Sequence, residues 1–188
     1  MNLIEYIKEN MILIPQGNEI IRDFVDPVKW LSSDYKMSAP GTNKEKIMKQ
    51  KLVEVQSFLL FKIPVTNELY NYAMEMDYDI TTKNCPVVNV SWIDAVNFCN
   101  NLSEKLALEK CYILDPVSEK IIVDDAKNGF KLPTDAQWQY ACRGRATGYR
   151  YGNIEEIAWF EQNSEKRVHE VKTRKKNDFG LFDMIGNV

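Results

Sequence analysis

Two helix-start signatures, one following the other between Cys85 and Gly144, constrain this chain more than any other feature. The first reads Cys85-Pro86-Val87-Val88-Asn89-Val90-Ser91-Trp92-Ile93-Asp94-Ala95-Val96, the second Gly129-Phe130-Lys131-Leu132-Pro133-Thr134-Asp135-Ala136-Gln137-Trp138. A serine or threonine followed three residues on by an acidic or amide side chain satisfies two of the amides that the first turn of a helix leaves free. Ser91 with Asp94, and Thr134 with Gln137, fit that pattern, so each helix has a defined start and an extended, proline-marked approach. Trp92, Ala95, Val96, Cys99, Leu102 and Leu106 recur at three- and four-residue steps, which predicts one core face on a helix running to about Leu108. Ala136, Tyr140 and Ala141 share one side of the second, shorter helix, and Gly144, just past Arg143, is its expected stop.

Weaker signals fill in the remainder. Residues Asn2 to Glu9 read as a short amphipathic turn or two, and Met11-Ile12-Leu13-Ile14 as a strand ended by Pro15 and Gly17. Ile20 to Lys36 reads as irregular, and the lysine-rich stretch from Lys44 to Lys51 as a solvated connection. Leu52, Val53, Val55 and Phe58 to Phe61 form an apolar run expected to give one or two buried strands. Thr66 is placed to cap a helix through about Met76, with Leu69, Tyr72, Ala73 and Met76 turned inward. Cys111 to Leu114 and Ile121 to Val123, on either side of Asp115-Pro116, suggest a hairpin. Ile157 to Phe160 is expected to bury against the core. These patterns define a soluble mixed α/β domain and nothing more specific.

A length of 188 residues suits one domain that buries roughly 70% of its unfolded surface. With 24 basic and 27 acidic residues the net charge is −3, too small a field to mark nucleic acid or an anionic membrane as the main partner. No apolar run approaches the ~20 residues of a membrane helix. Glu5, Lys8 and Glu9 interrupt the region where a secretory signal needs an apolar core, so the expected location is cytoplasmic. Cys85, Cys99, Cys111 and Cys142 lack zinc-site spacing and are read as reduced, buried thiols. His169, the only histidine, is read as a surface or packing residue rather than a metal ligand. Lys172, Arg174, Lys175 and Lys176 are read as a solvated face, and Asp124-Asp125 with Asn128-Gly129 as a solvated turn rather than a calcium loop.

Three blocks carry a more specific signal: Pro86 to Cys99, Leu132 to Gly144, and Phe179-Gly180-Leu181-Phe182-Asp183-Met184-Ile185-Gly186-Asn187-Val188. In this order they resemble the formylglycine-generating enzyme (sulfatase-modifying factor) family, with weaker matches at Ile14-Pro15-Gln16-Gly17 and at Pro64-Val65-Thr66-Asn67 with Tyr70. The resemblance implies an irregular α+β fold with little regular secondary structure, related to C-type lectins. On that reading residues 1–188 are a single incomplete domain, truncated at its C-terminus and missing the half that would cover the core faces of the Ser91 and Thr134 helices. The family's acidic residue before a proline has no match near Pro40, and its tryptophan is lacking in the turn from Tyr151 to Asn153.

The same resemblance implies a copper-dependent oxidoreductase that converts a cysteine of a protein or peptide substrate to formylglycine. Its two copper-binding thiolates belong to a later part of the domain, soft sulfur being the donor that copper(I) prefers. None of the four cysteines matches them, so no catalytic residue is assigned and the chain alone is expected to be inactive. In some secreted members, cysteines at the positions of Cys99 and Cys142 are disulfide-bonded to partners in the C-terminal half. The family's calcium loop maps onto Asp183 for a side-chain oxygen and onto Gly186 and Val188 for backbone carbonyls, with a turn-capping role for Asp183 as the alternative. A second family calcium site finds only Asn163 here and is not assigned. Two other readings stand beside the oxidase: a non-catalytic lectin-like binding module, and a relative of the iron-dependent sulfoxide synthases, which a single histidine disfavours.

Overall fold

The computed structural model describes residues 1–22, 50–77, 79–115, 120–148 and 150–188. Helix α1 (Leu3–Asn10) starts on Asn2, whose side chain accepts from the Glu5 amide at 3.3 Å. It leads into β1 (Met11–Ile14) and β2 (Gly17–Arg22), which pair with β4 (Phe58–Phe61) and β3 (Gln50–Val55) respectively, both antiparallel. Met11 faces Phe61 and Ile14 faces Phe58; after Pro15-Gln16 on one side and Gln56-Ser57 on the other, pairing resumes with Gly17 opposite Val55. Two residues are skipped on each strand, so register is kept across the break and the two ladders form one interrupted ribbon. Pro15, which has no amide to donate, accounts for an interruption at that point. The sequence reading ended the first strand at Pro15 and left Ile20 irregular; Ile20 instead belongs to β2. The Pro40 loop and most of the two connecting stretches lie outside the described residues.

Helix α2 (Asn67–Met74) is capped by Thr66, whose hydroxyl accepts from the Leu69 amide and also meets the Tyr6 hydroxyl at 3.1 Å. It buries Leu69, Tyr70 and Ala73. Tyr72 and Met76, expected inward, are exposed, because Tyr70 takes the inward position and the helix ends at Met74. Helix α3 (Trp92–Lys105) begins at the Ser91–Asp94 capping box: the Asp94 amide donates to Ser91 Oγ at 3.2 Å and the Ser91 amide to Asp94 Oδ2 at 3.0 Å. Its buried face carries Val96, Phe98, Cys99 and Leu102. Trp92, expected on that face, is 54% exposed, since a residue in the first turn lies at the edge of the layer the helix covers. The helix stops at Lys105, short of Leu108.

Strands β5 (Tyr112–Leu114) and β6 (Ile121–Val123) form the expected antiparallel hairpin, and Asn100 fastens it to α3 by exchanging two hydrogen bonds with the Tyr112 backbone. Asp124, Asp125 and Asn128 are engaged locally with the Ala126 amide, Lys131 and the Glu109 amide. Ser103, fully buried on α3, donates to Cys99 O and accepts from the Phe130 amide, both at 2.7 Å, and so draws in the approach to α4 (Asp135–Arg143). Thr134 and Gln137 cap α4 reciprocally, and Gly144 ends it in the left-handed conformation, φ 53°. The last helix, α5 (Ile154–Ile157), is a single turn that places Ile157 and Ala158 in the interior.

Two apolar centres result. One gathers Leu3, Leu69, Tyr70, Ala73, Val96, Phe98, Cys99, Leu102, Cys111 and Tyr112 between α1, α2, α3 and β5. The other packs Ile14 and Ala141 against Phe179 and Leu181, joining β1 and α4 to the last ten residues. Each fully buried leucine contributes about 1.5–3 kcal/mol of transfer free energy. Truncation was expected to bare the core faces of α3 and α4; Leu102 and Ala141 on them are inaccessible, while Trp92 is exposed. The apolar run from Leu52 to Phe61 was expected to give buried strands, yet Leu52 and Leu59 are exposed, as is Leu13 of β1.

Candidate functional site

The last twelve residues fold as a loop held from within by Asn177. Its Oδ1 accepts from the amides of Phe179 and Leu181 at 3.0 and 3.1 Å, and its Nδ2 donates to the carbonyls of Ala141 and Cys142 at 2.7 and 3.2 Å. One buried amide thus closes the turn and docks it on the C-terminal end of α4. A Cβ on Gly144 would overlap the Asn177 side chain, so glycine serves there for close approach as well as for its positive φ. This hub was not singled out from sequence, although asparagine two residues before an aromatic-glycine pair is the signature of a side-chain-closed turn.

Asp183, Gly186 and Val188 follow on this loop. Asp183 is 5% exposed with φ 52°; its Oδ2 accepts from the Lys172 amide at 2.8 Å, while Oδ1 is buried without a hydrogen-bond partner among the described residues. Burial holds its carboxyl above the usual range, opposed by the Lys172 amide and the positive charge of Arg174. Gly186, φ 75°, bridges to Trp159, and any Cβ there would collide with the Trp159 carbonyl oxygen. Asn187 donates its amide to that same oxygen at 2.9 Å. Val188 is exposed. The loop thus keeps Asp183 and Gly186 in place by different contacts, and the carboxylate retains one oxygen that none of the described residues satisfies.

Behind the loop, the Asn187 side chain pairs with the His169 backbone, accepting from its amide at 2.8 Å and donating to its carbonyl at 3.0 Å. The imidazole stacks on the Trp159 indole at 3.6 Å between centroids and 8° between planes, and its Nε2 meets Ser164 O at 2.9 Å. The Arg174 guanidinium lies 3.5 Å from the same indole centroid. His169 is therefore a buried packing residue. Arg174 departs from the solvated face expected of it: the indole draws it in, Nη1 donates to Glu155 O at 2.8 Å, and Nε is buried without a partner among the described residues. Asn163 spends its amide on Glu155, Ala158 O and the Phe160 amide, which makes it a structural link.

The four cysteines are free, and three are buried. Burial pushes the Cys99 thiol up to about 12, with a smaller contribution from Cys111, and the Cys142 thiol up to about 11. Thiols held protonated are poor ligands and poor nucleophiles. No group of three or more histidine, cysteine, aspartate or glutamate side chains among the described residues is placed to hold a metal ion. Copper(I) takes thiolates, which the raised thiols of Cys99 and Cys142 do not readily supply. Calcium differs: it takes hard oxygen donors, backbone carbonyls included, and the orphaned Asp183 Oδ1 suits it.

The sequence profile of the sulfatase-modifying factor enzyme 1-like domain matches residues 5–188. The chain belongs to this family. Its relatives include the chaperone protein LppX of Paenibacillus barcinonensis, 26% identical over 73% of this chain and 62% of that protein. The inactive C-alpha-formylglycine-generating enzyme 2 of Bos taurus is 24% identical over 94% of this chain and 56% of that protein. This sulfatase-modifying-factor domain thus spans less than two thirds of the length of the curated relatives it matches. Among solved structures, Treponema denticola variable protein 1 superposes with a TM-score of 0.74 at 28% identity, covering 95% of this chain and 70% of the other. CarF, at 20% identity, superposes with a TM-score of 0.67. The expected fold, mixed α/β with little regular secondary structure, is the family's.

Proposed function

We propose that residues 1–188 form the N-terminal, scaffold-building portion of a formylglycine-generating-type oxidase, whose intact form converts a cysteine of a target protein to formylglycine. The observation carrying this reading is the family match that runs from residue 5 into the Asn177–Val188 loop, where Gly186 and Asn187 are docked on Trp159. A mouse protein named formylglycine-generating enzyme is among the relatives, 26% identical over 56% of this chain. The described residues are read as contributing scaffold rather than redox chemistry, since burial raises the thiols of Cys99 and Cys142 well above their ordinary range. The loop is proposed to hold calcium through Asp183 Oδ1 and the carbonyls of Gly186 and Val188. When bound, calcium neutralises the buried carboxylate and ties the end of the loop.

A second reading, a non-catalytic module that binds a protein, is favoured by the same inert thiols and by relatives named as inactive or as a chaperone. One assay separates the two. The full product of the reading frame is incubated with copper(I), dioxygen and a peptide carrying a sulfatase-type cysteine motif, and aldehyde is measured by hydrazide capture. Aldehyde formation is the expected result. Peptide binding without aldehyde would establish the binding module instead.

A further inference from the structure

Between the β5–β6 hairpin and α4 the chain reads Lys127-Asn128-Gly129-Phe130, in which an exposed asparagine precedes a glycine. That pair has a chemistry of its own. The backbone nitrogen of the residue after an asparagine can attack the side-chain Cγ and close a five-membered succinimide. Glycine favours this, because no side chain shields its nitrogen and its backbone turns freely. Ring closure needs a nitrogen that no carbonyl holds and a side-chain amine that can leave. Both conditions are met here. The Gly129 amide donates to no group among the described residues. Asn128 makes one side-chain hydrogen bond among them, through Oδ1, which accepts from the Glu109 amide at 2.9 Å and leaves Nδ2 without a partner. That donor also draws electrons from Cγ, the atom to be attacked, as an oxyanion-hole amide does.

Asn163-Ser164, an asparagine also followed by a small residue, is the internal contrast. Asn163 spends Nδ2 on Glu155 and on Ala158 O, and Oδ1 on the Phe160 amide, while the Ser164 amide donates to Phe160 O at 2.8 Å. Nucleophile and leaving group are both occupied there.

The Asn128 turn is also a joint. The carbonyls of Lys127 and Gly129 accept from the Cys111 thiol, and the Phe130 amide donates to the fully buried Ser103 hydroxyl at 2.7 Å. Gly129 lies so close to Glu109 that a Cβ on it would overlap the Glu109 carbonyl oxygen. Hydrolysis of the succinimide at one carbonyl gives aspartate and an unchanged main chain. At the other it gives isoaspartate, whose main chain runs through the β-carbon and is longer by one atom. Gly129 cannot move toward Glu109, so the added length is relieved by parting Phe130 from Ser103.

We propose that Asn128-Gly129 is a self-modification site, at which the folded turn converts the Asn128 amide to aspartate and isoaspartate, and that the isoaspartate form releases the approach to α4 from Ser103. The Gly129 nitrogen bonds to Asn128 Cγ as the bond from Cγ to Nδ2 breaks. The Gly129 proton leaves with Nδ2 as ammonia, and one water then opens the ring, with nothing oxidised or reduced. The site stands whether or not the protein is an oxidase.

The test ages the 188-residue chain at pH 8, folded and in urea, and follows the peptides by mass spectrometry, with electron-transfer fragmentation separating isoaspartate from aspartate. In the folded protein position 128 is expected to convert at least about tenfold faster than Asn163, with isoaspartate among the products. The aged protein should also exchange hydrogen faster over residues 109–112 and 128–132. Asn128→Gln, which would have to close a six-membered ring, should stay intact and keep the exchange pattern of the fresh protein. Freshly prepared Asn128→Asp keeps an acceptor for the Glu109 amide and should match that pattern too. An amide at position 128 that persists in the folded chain and is lost only in urea would overturn the site, as would equal conversion at Asn163. Isoaspartate with unchanged exchange would overturn the release from Ser103.

Discussion

Glu19 on β2 and Arg143 in the last turn of α4 form an ion pair, Oε1 to Nη1 2.9 Å, with only 8% and 16% of their side chains accessible. It joins the ribbon to a helix more than a hundred residues later in the chain. Removing one partner strands a charge in a poorly hydrated place, which typically costs about 3–5 kcal/mol, whereas apolar replacement of both is often neutral. Glu19→Ala and Arg143→Ala are each expected to lower the urea midpoint strongly, and Glu19→Leu/Arg143→Met to recover most of the loss. Urea unfolding followed by tryptophan fluorescence, at unchanged m-value, checks this.

Asn177 is 4% exposed and uses both donors and its acceptor oxygen. Asn177→Ala removes the side-chain partner of the Phe179 and Leu181 amides and of the Ala141 and Cys142 carbonyls, at about 1–3 kcal/mol for each group left unpaired that water cannot reach. Asn177→Asp keeps the acceptor and loses the donor. The expected order of Tm is wild type, then Asp, then Ala, with proteolysis appearing first between residues 176 and 188. Equal Tm for Asp and Ala would mean the link to α4 contributes little.

The Asp183 carboxyl lies above its ordinary value because burial removes its water. The unfolded chain titrates near ~3.9, so between that pH and the higher folded value the native state binds more protons. Metal-free stability therefore falls as pH rises through this window, and Asp183→Asn removes that slope. Calcium competes with the proton, so the calcium-induced gain in Tm should be larger at pH 7 than at pH 4 and absent in Asp183→Asn. Thermal scans with calcium and with a chelator, across pH 4 to 7, test both signs.

Burial separates the cysteines by reactivity. Cys85 is half-buried with its thiol raised by burial and by Glu170, whereas Cys99 and Cys142 are enclosed and shifted to about 12 and about 11. Iodoacetamide at pH 8 is expected to label Cys85 first, and Cys99 and Cys142 only after denaturant is added. Peptide mass analysis over time reads the order, and labelling of Cys99 at the rate of Cys85 would contradict the packing of α3.

The helix starts were legible because capping is local: Ser91 with Asp94, Thr134 with Gln137 and Thr66 with the Leu69 amide all act within one turn. Gly144 was legible as a stop for the same reason, as was the β5–β6 hairpin. The failures were at edges. Trp92, Tyr72 and Leu59 have the spacing of core residues, yet whether a spaced apolar residue is covered depends on which element lies above it. Arg174 sits in a run of cations and reads as solvated until Trp159 is placed beside it.

The sequence by itself determined where the capped helices begin, the order of the family's blocks and the residues of the terminal loop, because these depend on neighbours within a few positions. Only the tertiary structure decided that Asn177 ties that loop to α4, that Glu19 meets Arg143 and that Asp183 keeps one oxygen unsatisfied among the described residues. Each of these joins segments distant in sequence, and such contacts are set by how whole elements pack rather than by local pattern.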